Sequence, residues 1–271
     1  MRFVLLHYHI LKNAGTTIED ILDRSFGERS ARFDTSDREG YISNAALLSF
    51  LERNPHLQAV SSHHIRYPVP EAPGFIFFDM CFLRDPIDRV RSMYDYFRKK
   101  PAVGDGPSDI ANQSGLGEFV ARLIERLTYQ VNDVQVNLLA NGGMAEQPAG
   151  PADLDLAVKR MRNSSFLGVV DRSHESFIAG QHLLAPVFPN LDCAQPPANV
   201  SAELGSTLDE RVRTLRDACD PRVYAELLRL NALDFELLNR AREEVERRFQ
   251  QVPDQTARLR ALAERASPAP A

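Results

Sequence analysis

The chain has 271 residues, 44% of them hydrophobic and 25% charged, with a formal net charge of −5. That is apolar material for one good core, and the acidic balance argues against general nucleic-acid binding, which draws on a basic surface. No apolar run reaches the roughly 18 residues of a membrane span, the cysteines and histidines are too dispersed for a metal-ligand spacing, and no internal repeat is visible.

The first element is an apolar strand beginning at Phe3, early enough to leave no room for a signal peptide. His7 and His9 alternate in it, share one side, and read as structural. The strand gives way to the loop Leu11-Lys12-Asn13-Ala14-Gly15-Thr16-Thr17 and then to a helix from Ile18. Thr16 and Glu19 have the spacing of a capping box, and Ile18, Ile21, Leu22 and Phe26 form one apolar stripe. A glycine where backbone must approach closely, hydroxyls at a helix start, the positive end of the helix dipole and the Lys12 charge together make a phosphate or sulfate site. This is not the nucleotide-binding P-loop, in which the lysine follows the last glycine and directly precedes Ser or Thr; that pattern occurs nowhere in the chain. A capped strand-to-helix turn with a surface lysine is the bland alternative.

Leu47–Arg53 reads as part of a helix, and Gln58–Ser62 as a short strand ending at His63 and His64. Histidine has an unperturbed pKa of about 6.5 and suits proton removal from a hydroxyl near neutral pH, so this pair is a candidate general base. Two histidines in a surface loop before Tyr67-Pro68-Val69-Pro70 is the other reading. Phe75–Leu83 is almost continuously apolar, with Asp79 the exception, as a strand covered on both faces should be. Asp85 is a natural N-cap and Pro86 fits the first helical position of a helix that carries Ile87, Val90, Met93, Tyr94 and Phe97 on one side, with Asp88 and Ser92 opposite. Arg84 therefore stands at a strand carboxyl end, where open parallel sheets bind ligands. Lys12 and Arg84 together point to a ligand with two anionic groups.

The stretch Lys99–Asp109 is polar and rich in Gly and Pro, either a mobile lid or a solvated loop. Arg66, Arg98, Lys99 and Lys100 are either contacts for an anionic acceptor or ordinary surface charge. Helices are expected over Leu116–Leu139 with a stop at Gly142-Gly143, over Asp153–Arg162, over Ser173–Leu184, and around 208–218 and 222–249, with a strand from Phe166 and a Pro-rich irregular stretch at 186–206. The tail after Gln251 ends in Ala-Ser-Pro-Ala-Pro-Ala and reads as frayed. The expected fold is one α/β domain over residues 1–250, a P-loop-like parallel sheet flanked by helices with a helical C-terminal part, followed by a frayed tail at 251–271.

The run from His9 to Thr17, H-I-L-K-N-A-G-T-T, resembles the H-I-P-K-T-A-G-T-T loop of the carbohydrate sulfotransferases, with Leu11 for the proline and Asn13 for the threonine. Leu83-Arg84-Asp85-Pro86-Ile87-Asp88-Arg89-Val90, with Ser92 and Tyr94, resembles their L-R-D-P-V-x-R-x-x-S-x-Y segment. Phe166–Asp171 is similar to the late V-G-x-x-E strand with Asp for Glu, and Asn132–Asn137 to an N-x-x-Q-T-R helix without its arginine. The likeness to this family, which includes the heparan sulfate 2-O- and 6-O-sulfotransferases, spans about residues 3–190. It implies 3′-phosphoadenosine 5′-phosphosulfate (PAPS) as co-substrate and no metal. Lys12, Asn13, Ala14, Gly15, Thr16 and Thr17 would hold the 5′-phosphosulfate, Arg84 and Ser92 the 3′-phosphate, and Asn199 and Ser201 would be further contacts. Ser62–Tyr67 is similar to the G-H-V-x-Y region of the 2-O-sulfotransferases, which makes His64 the base; a one-residue shift exchanges it for His63. The implied partner is a hydroxyl-bearing acceptor, a carbohydrate. Animal members carry a membrane anchor; without one here, and with three cysteines, the expected setting is the cytoplasm. Two other classes stand beside this one: a P-loop-like nucleotide kinase or hydrolase, and a non-catalytic binder of a sulfated nucleotide or glycan.

Overall fold

The computed structural model describes residues 1–36, 40–102, 104, 106–143, 147–194 and 206–266. A continuous apolar run, Phe3-Val4-Leu5-Leu6, builds a central strand, β1 (Arg2–Tyr8), that is covered on both faces. Leu5 packs on one side with Ile18, Ile21, Met80 and Phe166, while Val4 and Leu6 pack on the other with Leu51, Val60, Val136 and Leu237. Around it lie β2 (Ser30–Arg32), β3 (Ala59–Ser62), β4 (Phe75–Leu83) and β5 (Phe166–Val169), forming one all-parallel sheet in the order β2-β3-β1-β4-β5. The register sets Tyr8 beside Ser62 on one flank and beside Cys81 on the other. The chain fills one side of β1 first and then crosses to the other, so the carboxyl ends of β3, β1 and β4 border a topological switch point. The expected α/β fold, with a parallel sheet flanked by helices, is the observed one. Asp79, the polar exception in β4, accepts the Tyr67 hydroxyl at 2.9 Å and the Ser165 amide at 2.9 Å.

The helices are α1 (Gly15–Phe26), α2 (Asn44–Arg53), α3 (Pro86–Phe97), α4 (Pro107–Gln113), α5 (Leu116–Arg126), α6 (Val134–Asn141), α7 (Pro151–Asn163), α8 (Ser173–Leu184), α9 (Leu208–Ala218), α10 (Pro221–Leu230), α11 (Ala232–Phe249) and α12 (Gln255–Ala266). α3 starts as read from the sequence: Asp85 accepts from the amides of Ile87 and Asp88, with Pro86 at the first position. The helical C-terminal part includes a third apolar cluster, in which Val90, Met93, Phe119, Leu123, Leu215 and Leu227 meet.

Four expectations are corrected. The helix expected over Leu116–Leu139 is two, because Asp133 takes left-handed backbone (φ 41°) and its amide bonds the Leu230 carbonyl. The helix around 222–249 breaks at fully buried Asn231, whose side-chain amide donates to the carbonyls of Val131 and Leu227 and so locks the two breaks together. α4 begins inside the stretch expected as an irregular loop up to Asp109, whose carboxylate accepts the Gly106 amide. The tail expected to fray forms α12 against α8, with Leu262 buried in the layer that holds Phe188 and Phe249; residues 267–271 lie outside the described part.

Candidate active site

Three loops meet at the switch point, one after each of β1, β3 and β4. In the loop after β1, Lys12 (φ 69°) and Ala14 (φ 63°) both take left-handed backbone, and the Asn13 amide between them bonds the Ile10 carbonyl at 3.1 Å. α1 then starts at Gly15, three residues before the expected Ile18, and the first-turn amides of a helix have no partner within it. The N-cap is Ala14 and no side chain caps the helix, so the Thr16–Glu19 capping box is not formed. Glu19 instead accepts from His9 Nδ1 at 3.0 Å and Ser61 Oγ at 3.0 Å, and pairs with Arg32 at 3.1 Å. Burial would raise its pKa, but these hydrogen bonds overcome that and hold it at about 2. Gly15 is required sterically, since a Cβ there would fall 1.6 Å from His9 Nε2. Thr16 is exposed and Thr17 buried.

Asn13 points inward. Its Nδ2 donates to the Phe82 carbonyl at 2.8 Å and to Gln135 Oε1 at 2.7 Å, so its side chain holds the loop and is not a contact for an anion. The Lys12 ammonium lies 4.5 Å from the centre of the Tyr96 ring, and the Lys100 ammonium lies 5.0 Å from the same ring. Burial lowers the Lys12 pKa, and the nearby Arg84, Lys99 and Lys100 charges lower it further against the opposing pull of Asp95. Like charges gathered on one aromatic platform make a strongly positive spot.

Arg84 bridges the loops. Its Nη1 donates to the Lys12 carbonyl at 2.8 Å and its Nε to Asp88 at 2.8 Å. Asp88 is also gripped by Arg211 of α9, at 2.7 Å through Nε and 3.1 Å through Nη2. Burial of Asp88 opposes ionisation, but the Arg211 and Arg84 hydrogen bonds win and its pKa is lowered. The side of α3 that carries Asp88 and Ser92 is thus covered by α9, and Ser92, one turn beyond Asp88, is 9% exposed. Arg98 stacks on Tyr94, and Arg66 is spent on the carbonyls of His63, Ile65 and Gly40.

The histidines after β3 sit beside this cluster. His63 Nδ1 bonds the His9 carbonyl at 3.0 Å, and a carbonyl only accepts, so that nitrogen carries the proton and Nε2 keeps its lone pair. Its ring packs against the His9 ring with centroids 3.6 Å apart and lines a small pocket with Tyr8, Ile65, Tyr67 and Leu139. Burial, then the neighbouring His9, lowers the His63 pKa. His64 has the reverse arrangement. Its Nδ1 accepts the Thr35 amide at 3.0 Å, so the neutral ring carries its proton on Nε2. Asp34 Oδ1 is 3.4 Å from that Nδ1 but already accepts the Ser62 hydroxyl and the His63 amide. His7 is fully buried, bonds Ser61 at 2.9 Å, and is structural as expected, whereas His9 belongs to the site.

The structure therefore brings Lys12, Ala14, Gly15, Thr16, Arg84 and His63 to one sheet edge. Asn199 and Ser201 lie outside the described residues. Sequence reading missed Arg211 and the His9–Glu19 pair, which have no local signature, and the bridging role of Gln135, whose only signal was the likeness of Asn132–Asn137 to the N-x-x-Q-T-R helix. Among the described residues no group of three His, Cys, Asp or Glu is placed to hold a metal ion, and no helix is long and apolar enough to cross a membrane.

No family model matches the chain. A protein of Archaeoglobus fulgidus, described only as an uncharacterized protein, is 27% identical over 241 residues, covering 87% of this chain and 94% of the relative. The two chains are therefore alike over most of both their lengths.

Proposed function

We propose that the protein transfers a sulfuryl group from PAPS to a hydroxyl of a carbohydrate or glycoconjugate acceptor. The observation that carries this reading is the juxtaposition of two cationic loops, Lys12 after β1 and Arg84 after β4, joined at 2.8 Å through the Lys12 carbonyl. A ligand with one anionic group needs one such loop; two held side by side suit a nucleotide with a 5′-phosphosulfate and a 3′-phosphate. The motif resemblance of both loops to the carbohydrate sulfotransferases supports the same ligand. PAPS supplies the activated sulfuryl group and the acceptor the attacking hydroxyl.

Lys12 and the amides at the start of α1 stabilise negative charge on the phosphate oxygen released as the sulfur–oxygen bond breaks. Arg84, with Arg211 behind it on Asp88, holds the 3′-phosphate. His63 takes the acceptor's proton on Nε2 as the hydroxyl oxygen bonds to sulfur. The tautomer supports His63 over His64, because only His63 has its Nε2 lone pair fixed by a donor bond from Nδ1. Cys81, Cys193 and Cys219 stand as separate thiols, which suits the cytoplasmic setting that belongs to this reading.

Calorimetric titration with adenosine 3′,5′-bisphosphate, adenosine 5′-monophosphate and ATP tests it. Micromolar binding of the bisphosphate, much weaker for the monophosphate and weakened by Lys12→Ala and Arg84→Ala, is the expected result. Equal binding of bisphosphate and monophosphate would sink it, and magnesium-dependent ATP loss without PAPS binding would favour a kinase or hydrolase.

A further inference from the structure

One buried side-chain amide connects the two cationic loops. Gln135, near the start of α6 and 1% exposed, accepts on Oε1 from Asn13 Nδ2 at 2.7 Å and from the Arg84 amide at 2.9 Å. Its Nε2 donates to the Arg84 carbonyl at 2.9 Å and to Asp234 at 3.3 Å. A primary amide offers two lone pairs and two N–H groups, and all four are used. Asp234, fully buried in α11, also accepts the amides of Gln135 and Val136, so it pins both the start of α6 and the side chain. Asn13 ties the first loop to Phe82 as well, two residues before Arg84. The spacing between the loops is thus set by one fully satisfied amide anchored to the helical C-terminal part.

We propose that Gln135 is the specificity-determining residue for a ligand with two anionic groups: it fixes the distance between the Lys12 loop and Arg84, and so selects the bisphosphate spacing. It is a positioning residue that acts through Asn13 and the Arg84 backbone, and the inference rests on reading the two loops as paired anion sites. Leucine in its place would leave the Arg84 amide without its acceptor and Asn13 Nδ2 with the Phe82 carbonyl alone. Glutamate would lose both donors and set a carboxylate against the Arg84 carbonyl and the Asp234 carboxylate.

The test is calorimetric titration of the full chain with adenosine 3′,5′-bisphosphate and adenosine 5′-monophosphate, for wild type, Gln135→Leu, Gln135→Glu and Asn13→Ala, at a temperature where circular dichroism shows each variant folded. Asn13→Ala cuts the same tether from the other side at less cost to the core, because Asn13 Oδ1 is already buried without a partner. The expected result is a bisphosphate-to-monophosphate preference that collapses by roughly tenfold, the worth of one hydrogen bond, with monophosphate binding largely kept. A purely structural glutamine would weaken both ligands by the same factor or neither, and that result in Gln135→Leu and Asn13→Ala overturns the proposal. A wild type with no preference for the bisphosphate overturns the paired-site reading itself, and the role of Gln135 falls with it.

Discussion

The guanidinium of Arg84 donates to the main-chain carbonyl of Lys12 at 2.8 Å while its Nε holds Asp88 at the same distance. A single planar fork thus spans the two loops, a geometry the point charge of lysine cannot reproduce.

Arg84→Lys is therefore expected to behave more like a deletion than a conservative change. Adenosine 3′,5′-bisphosphate binding should fall roughly 10- to 100-fold, the worth of a charge-assisted hydrogen bond. Because Arg84 also shapes the Lys12 backbone, Lys12→Ala and Arg84→Ala should be non-additive in a calorimetric double-mutant cycle. Strict additivity would mean that the Arg84–Lys12 contact does not couple the two sites.

The two histidines predict different losses. His63→Gln should lower kcat by about 10²- to 10⁴-fold with little change in PAPS KM, since it removes only proton transfer. His64→Ala should cost much less, because neutral His64 offers no lone pair on Nε2. The base must be neutral to act, and burial and His9 lower the His63 pKa in the free protein, so the acid limb of kcat/KM should lie below the ordinary histidine value. A steady-state pH profile measured on wild type and both variants decides; an inactive His64→Ala beside an unimpaired His63→Gln would reverse the assignment.

Much of this was legible in the chain. The Asp85-Pro86 helix start, the apolar run into Arg84 and the glycine-bearing loop after the first strand are local patterns, governed by backbone geometry and burial within a dozen residues. What was hidden depends on partners far away in sequence. Glu19 has the spacing of a capping box, yet His9, Ser61 and Arg32 compete for it and win. Gln135 reaches Asn13 across 122 positions, and Arg211 reaches Asp88 across 123, so neither contact leaves a periodic trace. His63 and His64 are adjacent and chemically identical, and only the tertiary donor or acceptor on each Nδ1 tells them apart.

Ala14 carries left-handed backbone at the head of α1, a conformation that costs a residue with a Cβ about 1 kcal/mol. Ala14→Gly should relieve that strain, offset in part by the greater freedom of glycine in the unfolded chain. The expected outcome is a Tm unchanged or raised by roughly 2 °C with bisphosphate binding retained, read by thermal denaturation. A branched residue tests the same point from the other direction: Ala14→Val should lower both Tm and binding. If Val is tolerated in both, the loop does not keep this backbone in solution.

Glu19 makes an acid-stability prediction. Its pKa in the folded protein is about 2, against roughly 4.3 for an unperturbed glutamate. A folded-state pKa below the unfolded value means that the carboxylate stabilises the fold above about pH 4.3 and that this contribution fades as the pH falls toward 2. Glu19→Gln keeps the shape but removes the titration. Its unfolding free energy should be lower than wild type at pH 7, and the gap should close between about pH 4.5 and pH 2.5, as followed by urea denaturation. The variant should also free His9 to tilt, since Glu19 holds its Nδ1 and the His63 ring rests on the His9 ring. Turnover should then fall more than bisphosphate affinity. A gap that is constant with pH would mean that Glu19 acts by packing alone and not as the carboxylate that orients His9.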